Sequence, residues 1–523
     1  MEKKILAIIG AGEGAIPIFS KAKEMGVKTL AFARNDSVAK DMVDIFIEEN
    51  SFDIDFMVSK CREYNVNGIM PSSELSTEVA AKVAHELGLP GNDVEQGFAG
   101  KNKYIMRTRV AHLQSVKQPK FSLYDERETY TSFPVVVKSV DSCGKRGISI
   151  ANNKTDFDKA IHESQQISSD GTALIEEYLE GGQEYSIECL SNGKGQHYVI
   201  QYTEKESAGP PHFVELAHHQ PANLSDEMKH KIDKATWDIL EVLGLNCGMA
   251  HLEIKIIDND IYFIEVGARG GGGHISDILT PLSTGFDYYR AAIECSIGMY
   301  NHKQITSKLY TGLYYHCKQN AHYKLLFDSA KSASWCVQNT VVNADFGNAS
   351  CNVEAMKSGY IIYCSDHKIG LKDCKNMFHA QLLNHHPNAK VLIQKHCQDI
   401  NNDLGKEKFE EWFKKIVNTG NVIAIIDRDR IIAFALLYCN HKDTLDAYLC
   451  NVYVLEPYRG IGLSVLLLEK AVDVCKENGF KSISLHVDKD NYKAIHVYEK
   501  YGFKKCNDET IGDSRLSMRL LIK

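Results

Sequence analysis

Two glutamates twelve residues apart, Glu253 and Glu265, stand in the runs Leu252-Glu253-Ile254-Lys255-Ile256 and Tyr262-Phe263-Ile264-Glu265-Val266. The alternation in each run predicts a strand, and Asp258-Asn259-Asp260 between them predicts a turn. Such a hairpin carries both carboxylates on one face. Carboxylates paired in this way can hold Mg²⁺ against a triphosphate, because that ion takes a few hard protein oxygens and completes its shell with phosphate and water. In isolation the same spacing reads more readily as two solvated acids on an edge hairpin.

The elements upstream change that balance. Asn102-Lys103-Tyr104-Ile105-Met106-Arg107 opens a helix, and Phe133-Pro134-Val135-Val136-Val137-Lys138 is a strand ending in lysine. Ser142-Cys143-Gly144-Lys145-Arg146-Gly147 follows, a loop whose amides, hydroxyl and cations suit a flap over phosphates. It is not a G-x-x-x-x-G-K-[ST] loop. Next come Ala173-Leu174-Ile175-Glu176-Glu177-Tyr178-Leu179 and Gly181-Gly182-Gln183-Glu184, where acids flanking a backbone stretch could hold an adenine amine and a ribose diol.

In this order the segments resemble the ATP-grasp superfamily, over residues 1 to about 370. The resemblance implies that Lys103 and Lys138 contact the ATP phosphates and that the loop containing Ser142, Gly144 and Gly147 closes over them. It implies that Glu176, Glu177 and Leu179 read adenine, that Glu184 binds ribose, and that Glu253 and Glu265 are the metal ligands. Glycine, Gly267, replaces the asparagine that most members use as a further metal ligand. Glu265-Val266-Gly267-Ala268-Arg269-Gly270-Gly271-Gly272-Gly273-His274 is similar to the subgroup of L-amino-acid and carnosine-type ligases. Arg269 is then expected to reach an acyl-phosphate, with a structural ion pair as the other reading. His274 is expected at the substrate, and His251 reads as structural.

The first hundred residues begin as a βαβ unit of doubly wound type: strand Lys4–Ile9, the turn Gly10-Ala11-Gly12-Glu13-Gly14-Ala15, a helix to about Met25, and strand Val27–Ala33. The turn fits G-x-G-x-x-A. The second strand ends in Ala31-Phe32-Ala33-Arg34 without an acid for a ribose, so a dinucleotide site is disfavoured. The ATP-grasp resemblance makes this a substrate-binding, Rossmann-like domain. Strand Gly68-Ile69-Met70 ends in Pro71-Ser72-Ser73-Glu74, which places hydroxyls and a candidate substrate ligand, Glu74, where such sheets bind ligands. Ser72 or Ser73 would also cap the helix that follows.

Beyond about residue 376 the pattern changes. Strands are expected over Val422–Asp427, Ile431–Tyr438 and Ala447–Leu455, with a helix near Lys406–Val417 before them. The last strand runs into Glu456-Pro457-Tyr458-Arg459-Gly460-Ile461-Gly462-Leu463-Ser464 and a long helix to Asn478. A glycine turn with an arginine at a helix N-terminus suits a pyrophosphate. With Ser482–Val487 and Asn491 to Phe503, this stretch resembles the GNAT acyltransferase superfamily. That resemblance places Val454, Arg459, Gly460, Gly462, Ser464 and Asn491 at acyl-CoA, and makes Tyr498 a general acid for the departing thiolate. Packing on Phe503 is the other reading of Tyr498, and His441, Glu456 or water could serve as base.

The expected architecture is therefore α/β and α+β multidomain. It comprises a Rossmann-like domain over 1–100, an ATP-grasp two-lobe fold over 101–300 with a C-terminal lobe at 301–375, and a GNAT fold over 376–523. Tyr310, Tyr314, Tyr315 and His316 fall in that lobe. A chain of 523 residues exceeds one core. A net charge of −8 argues against nucleic acid or an anionic membrane as partner, and no apolar run reaches membrane-spanning length. Fifteen cysteines without metal or disulfide spacing suit reduced cytosolic thiols, and the N-terminus reads as a buried strand rather than a signal sequence.

The expected activity is a carboxylate–amine ligase using Mg²⁺ and ATP, fused to an N-acyltransferase with acetyl-CoA as default donor. Small-molecule carboxylate and amine are its partners, and a homodimer is compatible. Two rivals stand beside it. One is a bicarbonate-using carbamoyl-phosphate or carboxylase-type enzyme, against which Gly267 and the missing biotin-carrier lysine weigh. The other is a ligase regulated by a non-catalytic CoA-binding module.

Overall fold

The computed structural model describes all residues except 1–2, 95–100, 143–145, 211–212, 344, 350, 384–418, 428–429, 441, 507–513 and 523. The chain forms two compact units, residues 1–321 with 330–369, and residues 322–329 with 370–523. Gly144, His441 and the helix expected near 406–417 lie outside the described residues.

The first unit starts with four parallel strands in the order Ile45–Glu48, Lys28–Ala33, Ile5–Ile9, Gly68–Pro71. Apolar runs such as Leu6–Ile9 are wholly buried, as parallel strands covered on both faces require. Two antiparallel sheets follow. A small one orders Phe121–Leu123, Ala173–Glu177, Val135–Ser139 and Ile148–Ala151. An eight-stranded one runs from the hairpin strands Asp260–Gly267 and Cys247–Ile257 through Gln183–Asn192, His197–Ser207 and Glu215–Gln220 to Tyr310–Tyr315, Tyr360–Ser365 and Cys336–Asn339.

Local chemistry sets the points on which the site depends. Asp258 and Asn259 both take positive φ, 49° and 68°, which is the two-residue turn that short polar side chains tolerate. That turn sets the register from Ile257↔Asp260 to Ile254↔Phe263, and a bulge between Ile254 and Glu253 then shifts it by one residue, so that Glu253 lies directly opposite Glu265. Asn102 caps the helix Lys103–Val110, its Oδ1 accepting from Ile105 N at 3.0 Å. The same helix turns Arg107 inward. Its guanidinium is 1 % exposed and donates to both oxygens of Glu176, at 2.7 and 3.1 Å, and to the carbonyl of Phe263.

The second unit is a seven-stranded sheet in the order Gln381–Leu382, Asn421–Asp427, Arg430–Tyr438, Asp446–Val454, Ser482–Asp488, Arg515–Leu521, Lys504–Cys506. Its only parallel neighbours among the described strands are Asp446–Val454 and Ser482–Asp488.

Arg107 is a buried charge whose removal strands Glu176 with one cation. Arg107→Met should lower the unfolding free energy of the first unit by about 3 kcal/mol in urea denaturation near neutral pH. Burial alone would raise the Glu176 pKa, but Arg107 and Lys138 outweigh it and hold it at about 2, below its ordinary 4.5. The stabilisation is therefore present above 4.5 and lost as pH falls toward 2. The difference between wild type and variant should shrink in that window.

Candidate functional sites

Glu253 and Glu265 face each other on neighbouring strands, so each needs a cation. Lys205, 3 % exposed, donates to Glu253 at 2.7 Å and pairs with Glu215 at 2.8 Å. His251 Nε2 lies 3.3 Å from Glu253, and its Nδ1 pairs with the wholly buried Glu188. Glu188 also accepts from Gly271 N at 3.1 Å and Ser276 Oγ at 2.8 Å. Burial opposes the charge on His251, but Glu188 and Glu253 overcome it and raise its pKa to about 9. Burial likewise opposes charge on Glu253, and Lys205 and His251 hold its pKa well below the ordinary carboxylate value. Lys103 Nζ stands 3.8 Å from Glu265 and donates to the carbonyl of Ser142.

A cavity of about 100 Å³ brings together Lys138, Glu176, Glu177, Leu179, Glu184, Glu253 and Glu265. The carboxylate of Glu176 is taken up by Arg107 and by Lys138, 2.7 Å away. Its side chain lines the cavity with both of those cations bound to it. Glu177 is exposed and accepts from Lys120 N at 3.2 Å. Leu179 offers its carbonyl, to which Lys255 Nζ donates at 2.7 Å. Ser142 Oγ donates to Arg146 O, and Gly147 takes a positive φ of 68° at the end of the loop.

Among the described residues no group of three or more His, Cys, Asp and Glu side chains could hold a metal ion. The two opposed carboxylates fit Mg²⁺ shared with phosphates, since that ion is commonly held by one or two carboxylates and the substrate rather than by an all-protein cage.

A larger cavity of about 470 Å³ adjoins this region. Glu74, Arg269, His274, Ser72, Ser73 and the glycines 270–273 line it. Arg269 donates to Glu74 Oε2 from Nε at 3.2 Å and Nη2 at 2.9 Å, so the ion pair is present and faces the cavity. Burial works against the Arg269 charge, and Glu74 sustains it. His274 sits at φ 59° with Nδ1 2.9 Å from Asp277 and its ring 4.9 Å from that of Tyr360. Gly271 packs this cavity's wall against the charge cluster, since a Cβ there would meet His251 Nδ1 at 2.6 Å and Glu188 Oε1 at 2.7 Å. Gly10 and Gly14 pack against Ser72, where a Cβ would come within 2.1 Å of its Oγ and 2.7 Å of its carbonyl oxygen respectively.

Sequence reasoning missed Lys205, Glu215, His218, Glu188 and Lys255. His218 Nε2 lies 3.0 Å from Glu215, and its Nδ1 is buried beside Gly273 without a hydrogen-bond partner among the described residues. The strand containing Lys205 reads Tyr202-Thr203-Glu204-Lys205-Glu206, where charges on both faces hide the inward one.

In the second unit the parallel strands pair at Asp446↔Ser482, Ala447↔Ile483 and Tyr448↔Ser484, and no further pairing follows. Past that opening Gly460 and Gly462 adopt positive φ of 83° and 93°, and Gly462 starts the helix Leu463–Glu477. Ser464 lies in its first turn, where amides lack helical partners. Arg459 Nε donates to Val454 O at 3.1 Å. Asn491 caps the helix Tyr492–Tyr501, accepting from Ala494 N at 3.2 Å. Tyr498 packs on Phe503 with ring centroids 5.6 Å apart, and burial pushes its phenol up to about 12, which keeps it protonated at neutral pH.

Residues 131–277 match the ATP-grasp domain family, and residues 390–503 match the acetyltransferase (GNAT) family. The chain joins an ATP-grasp domain to a GNAT domain. Two enzyme domains thus share one chain, the first of ligase or carboxylase type and the second an acyltransferase. The ATP-grasp part is similar to dapdiamide A synthase of Enterobacter agglomerans, 23 % identical over 52 % of this chain and 68 % of that protein. It is also similar in fold to an L-amino acid ligase from Bacillus licheniformis, with TM-score 0.58 and 22 % identity over 72 % of this chain and 96 % of the other.

A biotin carboxylase domain from Hydrogenobacter thermophilus, in complex with MgADP, ADP and bicarbonate, gives TM-score 0.51 at 17 % identity over 71 % and 88 %. Carbamoyl phosphate synthase large chains match as well, though the chain spans only 29 % of the one from Thermoplasma acidophilum. Carbamoyl phosphate synthase large chains recur among the sequence relatives, beside dapdiamide A synthase and an alanine–anticapsin ligase of Bacillus subtilis. The comparisons therefore lean toward the rival that the sequence reading weighed down on Gly267. Among the described residues no helix is long and apolar enough to cross a membrane.

Lys205 is the only cation within 3 Å of both Glu215 and Glu253 among the described residues. Lys205→Met should leave Glu215 and Glu253 with histidine partners alone and cut ATP-dependent phosphate release by about 100-fold. A steady-state assay of the full chain reads this directly.

Proposed function

We propose that the ATP-grasp domain moves the γ-phosphoryl group of ATP onto a carboxylate-type oxyanion, and that an amine then takes the activated carbon. The oxyanion attacks phosphorus in line as the bond to ADP breaks. The amine nitrogen next attacks the carbonyl carbon, the C–O bond to phosphate breaks, and the ammonium loses a proton. ADP, phosphate and a C–N bond result. The observation supporting this reading is the pair Glu253 and Glu265 in register at one cavity with Lys138, beside a second cavity holding Arg269.

Lys138 and Lys103 would meet the phosphates, and Glu184 would meet the ribose. Glu253 and Glu265 would hold Mg²⁺, which supplies charge neutralisation on the phosphates when bound. Arg269, at the wall between oxyanion and phosphates, would steady the charge that develops on the acyl-phosphate. In the GNAT domain the glycine turn would receive the CoA pyrophosphate, and the opening beyond Tyr448 and Ser484 would admit the acyl arm. The protonated Tyr498 would supply the thiolate's proton, with acetyl-CoA as the default donor.

Two oxyanions suit the first step. Bicarbonate is favoured by the carboxylase and carbamoyl phosphate synthase relatives. A substrate carboxylate is favoured by the cavity itself, which offers the guanidinium of Arg269 to a carboxylate and the carboxylate of Glu74 to an amine.

Phosphate release with Mg²⁺-ATP in CO₂-depleted buffer separates the two readings. Release that requires added bicarbonate assigns the carboxylase type. Release that requires a carboxylate plus an amine without bicarbonate assigns the ligase type. Turnover unaffected by Glu253→Ala contradicts both. Thiol release from acetyl-CoA with the same amines tests the second domain, and CoA binding without thiol release would make it a regulatory module.

A further inference from the structure

A further cavity of the first unit, of about 290 Å³, shares no lining residue with either cavity described above. It opens beside the strand His197–Ser207, along a stretch paired on one side only. Gln183–Asn192 pairs with that strand from His197 to Lys205, whereas Glu215–Gln220 joins its other edge only from Glu204 onward. The register slips between Val199 and Gln201, so Ile200 is an extra residue. On a regular strand Tyr198 and Tyr202 would share a face. The bulge instead sends Tyr198 to the core cluster around Tyr288 and Tyr202 to the one around Ile232. Both tyrosines line the cavity.

Another part of the wall comes from the helix Asp226–Val242. Asp233 and Trp237 lie one turn apart on it, hence on one face, and both line the cavity. Trp237 keeps 53 % of its surface exposed. His302 stacks on Tyr198, with ring centroids 4.1 Å apart and planes 6° from parallel. The Tyr202 hydroxyl donates to Asp233 Oδ1. A phenol is neutral, so that bond leaves the negative charge uncompensated.

No lysine or arginine lines the cavity, and Asp233 is its one carboxylate. Asp233 makes no ion pair among the described residues. Burial raises its pKa above the ordinary carboxylate value, which Tyr202, His230 and Lys229 do not offset. A carboxylate half withdrawn from water among aromatic rings is suited to positive charge. A divalent metal would need more oxygen donors than this carboxylate, a phenol and Gln304 supply. An anion would meet Asp233 with like charge. An organic cation uses both features, because its charge pairs with the carboxylate and its methyl or methylene groups pack on the rings.

We propose that this cavity binds a small free organic cation, an ammonium or quaternary ammonium ion, held by Asp233 and the rings of Trp237, Tyr198 and Tyr202. The site is separate from the Arg269–Glu74 cavity and does not depend on the chemistry proposed there.

Calorimetric titration of the full chain with choline, at constant ionic strength and without ATP or Mg²⁺, tests the assignment. The comparison is neohexyl alcohol, the uncharged isostere with carbon in place of nitrogen. Choline should bind about tenfold more tightly than the alcohol. Asp233→Asn removes the charge and keeps a partner for Tyr202. Trp237→Ala removes an exposed ring and leaves the core closed. Each should bring choline down to the level of the alcohol. Trp237→Phe, which restores a ring, should recover most of the difference. Glu74→Gln alters the larger cavity alone and should leave the ratio unchanged.

Equal affinity for choline and the alcohol in the wild type would overturn the proposal. A ratio that survives in Asp233→Asn or in Trp237→Ala would do the same. A ratio lost in Glu74→Gln and kept in Asp233→Asn would place the cation in the larger cavity and overturn it as well.

Discussion

Two carboxylates placed directly opposite each other on paired strands are the constraint around which the first unit is arranged. Like charges in that position destabilise a sheet. The fold accepts them because buried cations come from elsewhere: Lys205 from a strand two positions away, His251 from the same strand as Glu253, and Lys103 from the N-terminal turn of a capped helix. Each cation is shared. Lys205 also holds Glu215, and His251 also holds Glu188, which in turn gathers the amide of Gly271 and the hydroxyl of Ser276. A charge cluster with this many bonds is costly to bury and costly to break, so its geometry is stiff.

That stiffness is transmitted to the larger cavity. The glycine run 270–273 passes between the charge cluster and the large cavity, and Gly271 and Gly273 lie too close to His251, Glu188 and His218 for any side chain. Arg269 immediately before the run is therefore set at a fixed place relative to Glu265. The smaller cavity is fixed by a separate buried set, Arg107, Glu176 and Lys138, which ties a helix and two strands of the small sheet together. In the second unit the comparable device is backbone rather than charge. Two parallel strands stop pairing, and a glycine turn delivers the unpaired amides of a helix start.

Much of this was legible in the sequence because it is local. The hairpin and its turn, the Asn102 cap, the strands around Lys138 and Glu176, and the Arg459–Ser464 turn are each specified by neighbours within a few residues. The partners of the acids were not. Lys205 and Glu253 are 48 residues apart, and Arg107 and Glu176 are 69 apart, so no window of sequence contains either pair. Glu176 is the instructive case. Its position beside Glu177 suggested a ligand-facing acid, and only the inward turn of Arg107 shows that its carboxylate is already bound. Asn491 likewise has a structural partner, a helix amide, which its spacing did not reveal, whereas the packing of Tyr498 on Phe503 was one of the two readings its position offered.

Transfer of phosphoryl to a carboxylate-type oxygen is the step on which the proposed chemistry depends. The most direct measurement uses the oxyanion labelled with ¹⁸O and follows the label by mass spectrometry during turnover with Mg²⁺-ATP. One labelled oxygen appearing in inorganic phosphate, with ADP as the other nucleotide product, is the predicted result. Label appearing in AMP, or ADP formed with unlabelled phosphate while a C–N bond is made, would contradict it.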